Sequence, residues 1–84
     1  MTDLEFLPYH NRHCRFTFQP NHEVTGVIFQ WHFSPEDDLQ YYYIPTNKLI
    51  AYKEAERIGD ILTCKKIATA IDLLNIRSAE HLNY

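Results

Sequence analysis

Apolar and polar positions alternate most regularly between Val24 and Ile44. The run Val24-Thr-Gly-Val-Ile-Phe-Gln-Trp-His-Phe33 places Val27, Phe29, Trp31 and Phe33 on one side of an extended chain. Ile28, Gln30 and His32 fall on the other side. A period of two in β-branched and aromatic residues predicts a half-buried strand. Leu39-Gln-Tyr-Tyr-Tyr-Ile44 repeats the pattern. Between the runs, Ser34-Pro-Glu-Asp-Asp38 carries turn chemistry, with Pro35 presetting φ at the second position of a turn that begins at Ser34. The two runs therefore predict an antiparallel hairpin.

Upstream, Cys14-Arg-Phe-Thr-Phe-Gln19 predicts a first strand with Cys14, Phe16 and Phe18 inward, followed by a turn cluster at Pro20-Asn-His-Glu23. Connections this short cannot cross over, so the three strands are expected to form an antiparallel meander. Gly26, inside the second strand, marks a bulge or a sharp bend. Residues 1–13 read as an N-terminal lead-in, with Leu4, Phe6 and Leu7 in a short extended piece, and residues 14–84 as one small globular domain.

Pro45 ends the sheet, and Thr46 is a good helix N-cap. Leu49, Tyr52, Ala55, Glu56 and Ile58 recur at helical spacing, and Gly59 suits the position just past a helix end. A helix is expected over about 47–58. The remainder carries two competing patterns. Ile61, Thr63, Ile67, Thr69 and Ile71 favour strand, whereas Cys64, Ile67, Ala68, Ile71, Leu74, Ser78 and Leu82 fit a helical stripe. The reading adopted is two strands, about 63–70 and 76–82, around a tight turn at Asp72-Leu-Leu-Asn75; one helix over about 64–82 is the alternative.

The pattern assigns Ile28, Tyr42 and Ile44 to the second face of the hairpin, beside Gln30 and His32. An open antiparallel face is usually polar. Burying these three side chains is worth about 1.5–3 kcal/mol each, so that face calls for a cover. The 47–58 helix, the C-terminal segment or another copy of the chain would supply it. The fold class expected is α+β, mainly β: a small curled antiparallel sheet or barrel, with strands at about 14–19, 24–33, 39–44, 63–70 and 76–82 and one helix.

Over about residues 14–82, four features resemble the SH3-like and Sm-like small β-barrels. They are the bent strand Val24-Thr-Gly-Val-Ile-Phe29, the polar hairpin tip, the Tyr-rich return strand and the closing pattern Ile71…Asn75-Ile76…Ser78-Ala79. The resemblance implies an SH3-like barrel. The chain departs from Sm-like proteins in placing its helix after the third strand rather than before the first. It also lacks the basic and polar motifs of their RNA-contacting loops.

Length and charge narrow the function classes. Eighty-four residues make one domain. The net charge is −3, and residues 1–44 carry two Arg against six Asp and Glu. Neither half has the basic field that drives nonspecific nucleic-acid binding, and Glu36-Asp37-Asp38 would repel phosphate. No apolar run reaches membrane-spanning length, and Met1-Thr-Asp-Leu-Glu5 does not open a signal peptide. The expected location is the cytoplasm, with Cys14 and Cys64 as reduced thiols.

Candidate chemistry is sparse. His10, His13 and Cys14 gather metal-ligand types within five residues, but no second paired motif exists and strand alternation turns Cys14 inward, so no metal site is expected. The acidic tip lacks the spacing of a calcium loop, and a hairpin tip is not the cleft that general acid–base work requires. Cys64 has no flanking motif, and Lys65-Lys66 alone do not make a reactive thiolate. Gly26 and Gly59 are the only glycines, which excludes a glycine-rich phosphate loop. No enzyme activity, cofactor or small-molecule substrate is expected.

Trp31 and Tyr41-Tyr42-Tyr43 could stack on bases, with Arg12, Arg15, Lys65 and Lys66 on the phosphates. Alternation instead makes Trp31, Tyr41 and Tyr43 core and leaves Tyr42 at the surface. The function expected is a non-catalytic protein-interaction or self-association module with Tyr42, Ile44, Ile28 and Tyr52 as its contact surface. A small barrel binding single-stranded nucleic acid is the alternative.

Overall fold

Strands β1 (His13–Phe18), β2 (His22–Trp31) and β3 (Gln40–Pro45) form the expected antiparallel meander in a computed structural model that describes residues 1–82. The domain boundary placed at 84 extends to Asn83 and Tyr84, which lie outside the described residues. Pro35 turns the hairpin as the sequence implies: the Asp37 N–H donates to the Ser34 carbonyl at 2.9 Å. Two further strands, β4 (Thr69–Ile71) and β5 (Ile76–His81), complete a five-stranded sheet in the order β4-β3-β2-β1-β5. The fold is thus α+β on an antiparallel sheet. The sheet is open, with β4 and β5 at opposite edges, so the barrel form does not arise.

Register corrects the face assignment made from alternation. Ile28 pairs with Tyr43, and Val27 with Ile44. Ile28 therefore lies on the opposite face from Tyr42 and Ile44. The ladder stops at Trp31 and resumes at Gln40, so Phe33 and Leu39, expected as strand ends, belong to the connection. A shift of one residue in pairing exchanges the two faces of a strand, and neither the turn residues nor the alternation fixes that single step.

Each face has its own core. Cys14, Phe16, Ile28 and Ile76 pack on one side with Phe6 and Leu73. The cover there includes the segment read as an extended lead-in, which is instead a short helix, α1 (Asp3–Phe6), followed by a 3₁₀ turn at Leu7–Tyr9. Thr2 caps α1 by accepting from the Glu5 N–H, while the Glu5 carboxylate accepts from the Thr2 N–H. This turns the Phe6 ring onto Phe16 and Tyr41, at centroid distances of 6.3 and 5.3 Å. Tyr41 Oη donates to Asp3, and the Met1 amino group donates to the Leu73 and Ile76 carbonyls. The opposite face is covered by α2 (Leu49–Arg57) and α3 (Ile61–Ile67), which bury Ile44, Tyr52, Ala55 and Cys64 with Phe29 and Phe33 at the margin.

The predicted helix over 47–58 is present as α2 after a 3₁₀ turn at Thr46–Lys48, although no side chain caps it. It ends as Gly59 suggests: Gly59 has φ +75°, its N–H reaches the Glu56 carbonyl, and the Asp60 N–H reaches that of Ala55. The strand expected over 63–70 is largely α3. Asp60 caps it by accepting from the Thr63 N–H at 3.1 Å and from the Thr63 hydroxyl at 2.6 Å. The cap starts a new helix immediately after the glycine, and Cys64 and Ile67 then pack against α2. That burial outweighs the strand preference of the β-branched residues. The second late strand, expected over 76–82, is β5.

Gly26 makes no bulge. The ladder runs through it without a break, from Cys14 on one side to Pro45 on the other. The one irregularity in these pairings lies between β1 and β5, at Thr17 and Phe18. Glycine is needed for close approach: an added Cβ would collide with the Ile44 carbonyl oxygen and lie 2.7 Å from Tyr43 Cε1. The Tyr43 ring crosses this gap so that its hydroxyl donates to the Thr25 carbonyl at 2.9 Å.

The two glycines should respond differently to alanine. Gly26→Ala must push β3 away from β2 and is expected to cost about 3 kcal/mol or more. Gly59→Ala meets nothing within 4 Å and carries only left-handed strain, about 1–2 kcal/mol. Phe6→Ala should cost about 3–5 kcal/mol if the first nine residues belong to the core; a value near zero would return them to the status of a lead-in. Urea denaturation of the three variants measures all of these.

Candidate functional site

The α2–α3 pair is too short to cover its whole sheet face. Among the described residues, none from β1 or β5 joins the core beneath it. The uncovered half is polar, with Arg15 and Glu80 paired across β1 and β5 at 2.9 Å. Between this half and α2 lies a groove of about 430 Å³. Its floor is Val27, Phe29 and Ile44. One wall is Leu49, Tyr52, Lys53 and Glu56 of α2; the other is Asn11 and His13. It runs on past Phe29 and Tyr52 into a second depression of about 320 Å³ bordered by His10, Gln30 and Trp31.

The wall at residues 10–13 is built by hydrogen bonds that continue the sheet without a strand. β1 pairs with β2 only as far as His13 and Val27. Beyond that point the Asn11 N–H donates to the Ile28 carbonyl at 2.8 Å, and the Gln30 N–H donates to His10 Nε2 at 3.0 Å. Asn11 takes φ +57°, a conformation that asparagine tolerates better than most residues. His13 Nε2 lies 2.8 Å from Thr46 Oγ1, which donates onward to Thr25 Oγ1 at 2.9 Å. Thr46 is therefore not the N-cap of the helix; its hydroxyl ties the helix entry to β1 and β2.

Trp31 stands at the end of β2, beyond the reach of α2, and is 52% exposed. The expectation that it is core is corrected: alternation gives its side of the strand, but the cover on that side stops short. Its ring lies against His32, at a centroid distance of 5.8 Å. Tyr42 is half-buried, packed against Phe33 at 4.8 Å and Phe29 at 6.2 Å. Phe29 also meets Tyr52 at 5.8 Å, which makes a continuous aromatic floor.

The contact residues expected from the sequence do not form one exposed surface. Ile28 is fully buried on the far face, and Ile44 (2% exposed) and Tyr52 (7%) are core. Ile44 and Tyr52 nevertheless meet in the groove, where their edges line the cavity. The groove residues that sequence reasoning missed are Asn11, Lys53 and Glu56. Their one legible signal was Asn11, a residue suited to positive φ within a polar turn.

The candidate metal set is not assembled. Cys14 is buried beneath the sheet on the opposite face from His13, and no three His, Cys, Asp or Glu residues come together among the described residues. Burial raises the Cys14 thiol above its ordinary value; it raises Cys64 as well, helped by Glu56 and Asp60. Tyr52 is pushed up to about 12 by burial, with Cys64 and Glu56 adding to the effect. No helix among the described residues is long and apolar enough to cross a membrane.

Tyr52 gives the fold an alkaline limit. An acid whose pKa rises on folding stabilises fully below its unfolded value, here about 10, and that contribution is lost as the pH climbs towards about 12. The urea midpoint of the wild type should fall across that interval. Tyr52→Phe should fall less steeply, the remaining slope coming from Tyr41, Tyr43 and the thiols of Cys14 and Cys64, which burial also raises. Parallel curves for the two proteins would show that the phenol is solvated.

Comparison with protein-family models, with curated proteins and with solved structures found no match to this chain.

Proposed function

We propose that this domain is a non-catalytic protein-interaction module that accepts apolar side chains of a partner in the groove beside α2. The observation that carries the reading is Trp31, about half exposed at the mouth of a preformed cavity with an aromatic floor. Tryptophan and tyrosine at the margin of an apolar pocket are the usual anchors of protein interfaces. The state of the groups that could act chemically supports a non-catalytic role. The imidazole of His10 accepts a backbone N–H, the thiols are buried with raised pKa values, and the Tyr52 phenol stays neutral at physiological pH. A cytoplasmic location, where such thiols stay reduced, fits this reading.

Single-stranded nucleic-acid binding is the second reading. It is favoured by Trp31 and His32 as an exposed stacking pair. The acidic residues Glu36, Asp37, Asp38 and Glu56 on the surrounding surface oppose it.

Trp31 is the only tryptophan, so its fluorescence reports occupancy of the groove. Peptides selected from a random library on the purified domain are expected to shift its emission to the blue, with affinity nearly independent of salt. They should lose about tenfold or more in affinity to Trp31→Ala, about 1.4 kcal/mol. Peptides that bind the variant equally well and leave the emission unchanged would overturn the groove reading. Emission that responds instead to oligonucleotides, with affinity falling steeply in salt, would establish the second reading.

A further inference from the structure

The α2–α3 turn exposes apolar side chains that none of the described residues covers. Ile58, Ile61 and Leu62 lie within five residues and are 61%, 51% and 73% exposed. Lys65 and Lys66 follow Ile61 and Leu62 one helical turn later, on the same side of α3. The β2–β3 connection has the opposite character: Glu36, Asp37 and Asp38 are exposed beside Leu39, which is 59% exposed. Both segments lead out of the core beneath α2 and α3. Phe33, at the start of the connection, and Ile67, just after Lys66, pack in the same core. Among the described residues, the ion pairs are Arg15 with Glu80 and Arg57 with Glu54, so neither lysine is matched to the acidic connection within one chain.

We propose that two copies of the chain associate through these two surfaces, the acidic connection and Leu39 of one copy resting on Ile58, Ile61, Leu62, Lys65 and Lys66 of the other. Two patches of opposite charge on one chain are self-complementary under a two-fold axis: each acidic patch meets a basic one, twice per dimer. The apolar side chains supply the buried area, and the charges fix the orientation and disfavour like-to-like contact. The inference extends the interaction-module reading to self-association and does not use the groove.

Charge reversal tests it, because every altered residue is exposed. Light scattering after size exclusion should give the wild type twice the 10.0 kDa chain mass, falling towards one chain in high salt or on dilution. Lys65→Glu with Lys66→Glu should be monomeric, as should Asp37→Lys with Asp38→Lys, each with wild-type circular dichroism. An equimolar mixture of the two variants should return to the dimer mass, since each now offers what the other lacks. A monomeric wild type at every concentration, a dimer that survives either reversal, or a mixture that stays monomeric would each overturn the proposal. The Trp31 titration on the monomeric variants separates the two readings: retained peptide binding leaves the groove intact whatever the oligomeric state.

Discussion

The pairing of β2 with β3 is the constraint from which the rest follows. Ile28 opposite Tyr43 and Val27 opposite Ile44 give the central strand two apolar faces. Neither can be left in water, because a buried aliphatic side chain is worth about 1.5–3 kcal/mol and a chain this short has little stability to spare. Two covers are therefore required, and a single helix can supply only one. The chain meets the need with segments from both ends of its length: residues 1–9 and the turn before β5 on one side, α2 and α3 on the other.

The size of those covers creates the site. Sixteen helical residues in α2 and α3 shield β3 and part of β2 but leave the β1 side bare. That bare half tolerates water because its residues are polar, among them His13, Arg15 and Glu80. Where the covered and uncovered halves meet, the aromatic floor of Phe29 and Tyr52 comes to the surface, and Trp31 extends past the end of the helix. The groove is thus a consequence of incomplete coverage, held open by the hydrogen bonds of residues 10–13 to β2. The same two helices leave Ile58, Ile61 and Leu62 at their turn exposed.

Gly26 shows how tightly the centre is built. The residue has no special φ, yet any side chain would strike the Ile44 carbonyl of the neighbouring strand, and the Tyr43 ring lies across the same gap to reach the Thr25 carbonyl. Close approach at one point holds β3 to β2 and keeps the register in which Ile28 and Ile44 face opposite ways. Asp60 plays a comparable part at the other end: by capping α3 directly after Gly59, it folds the two helices onto one sheet face without a long connection.

The sequence by itself determined the local elements whose signals are local: the meander of β1 to β3, the turn at Ser34-Pro35, α2 and its end at Gly59, and a strand near 76–81. Each depends on residues within a few positions of one another. Tertiary structure decided the pairing step between β2 and β3, the helical state of residues 61–67, the helical lead-in and the exposure of Trp31. Alternation says that side chains fall on two sides but not which neighbour shares a side, since a one-residue shift preserves the pattern while exchanging the faces. Residues 61–67 satisfy both periods, and only packing of Cys64 and Ile67 against α2 selects one. The groove was illegible for the same reason: it is made by where a helix stops relative to a strand more than twenty residues earlier in the chain, a distance that no local pattern encodes.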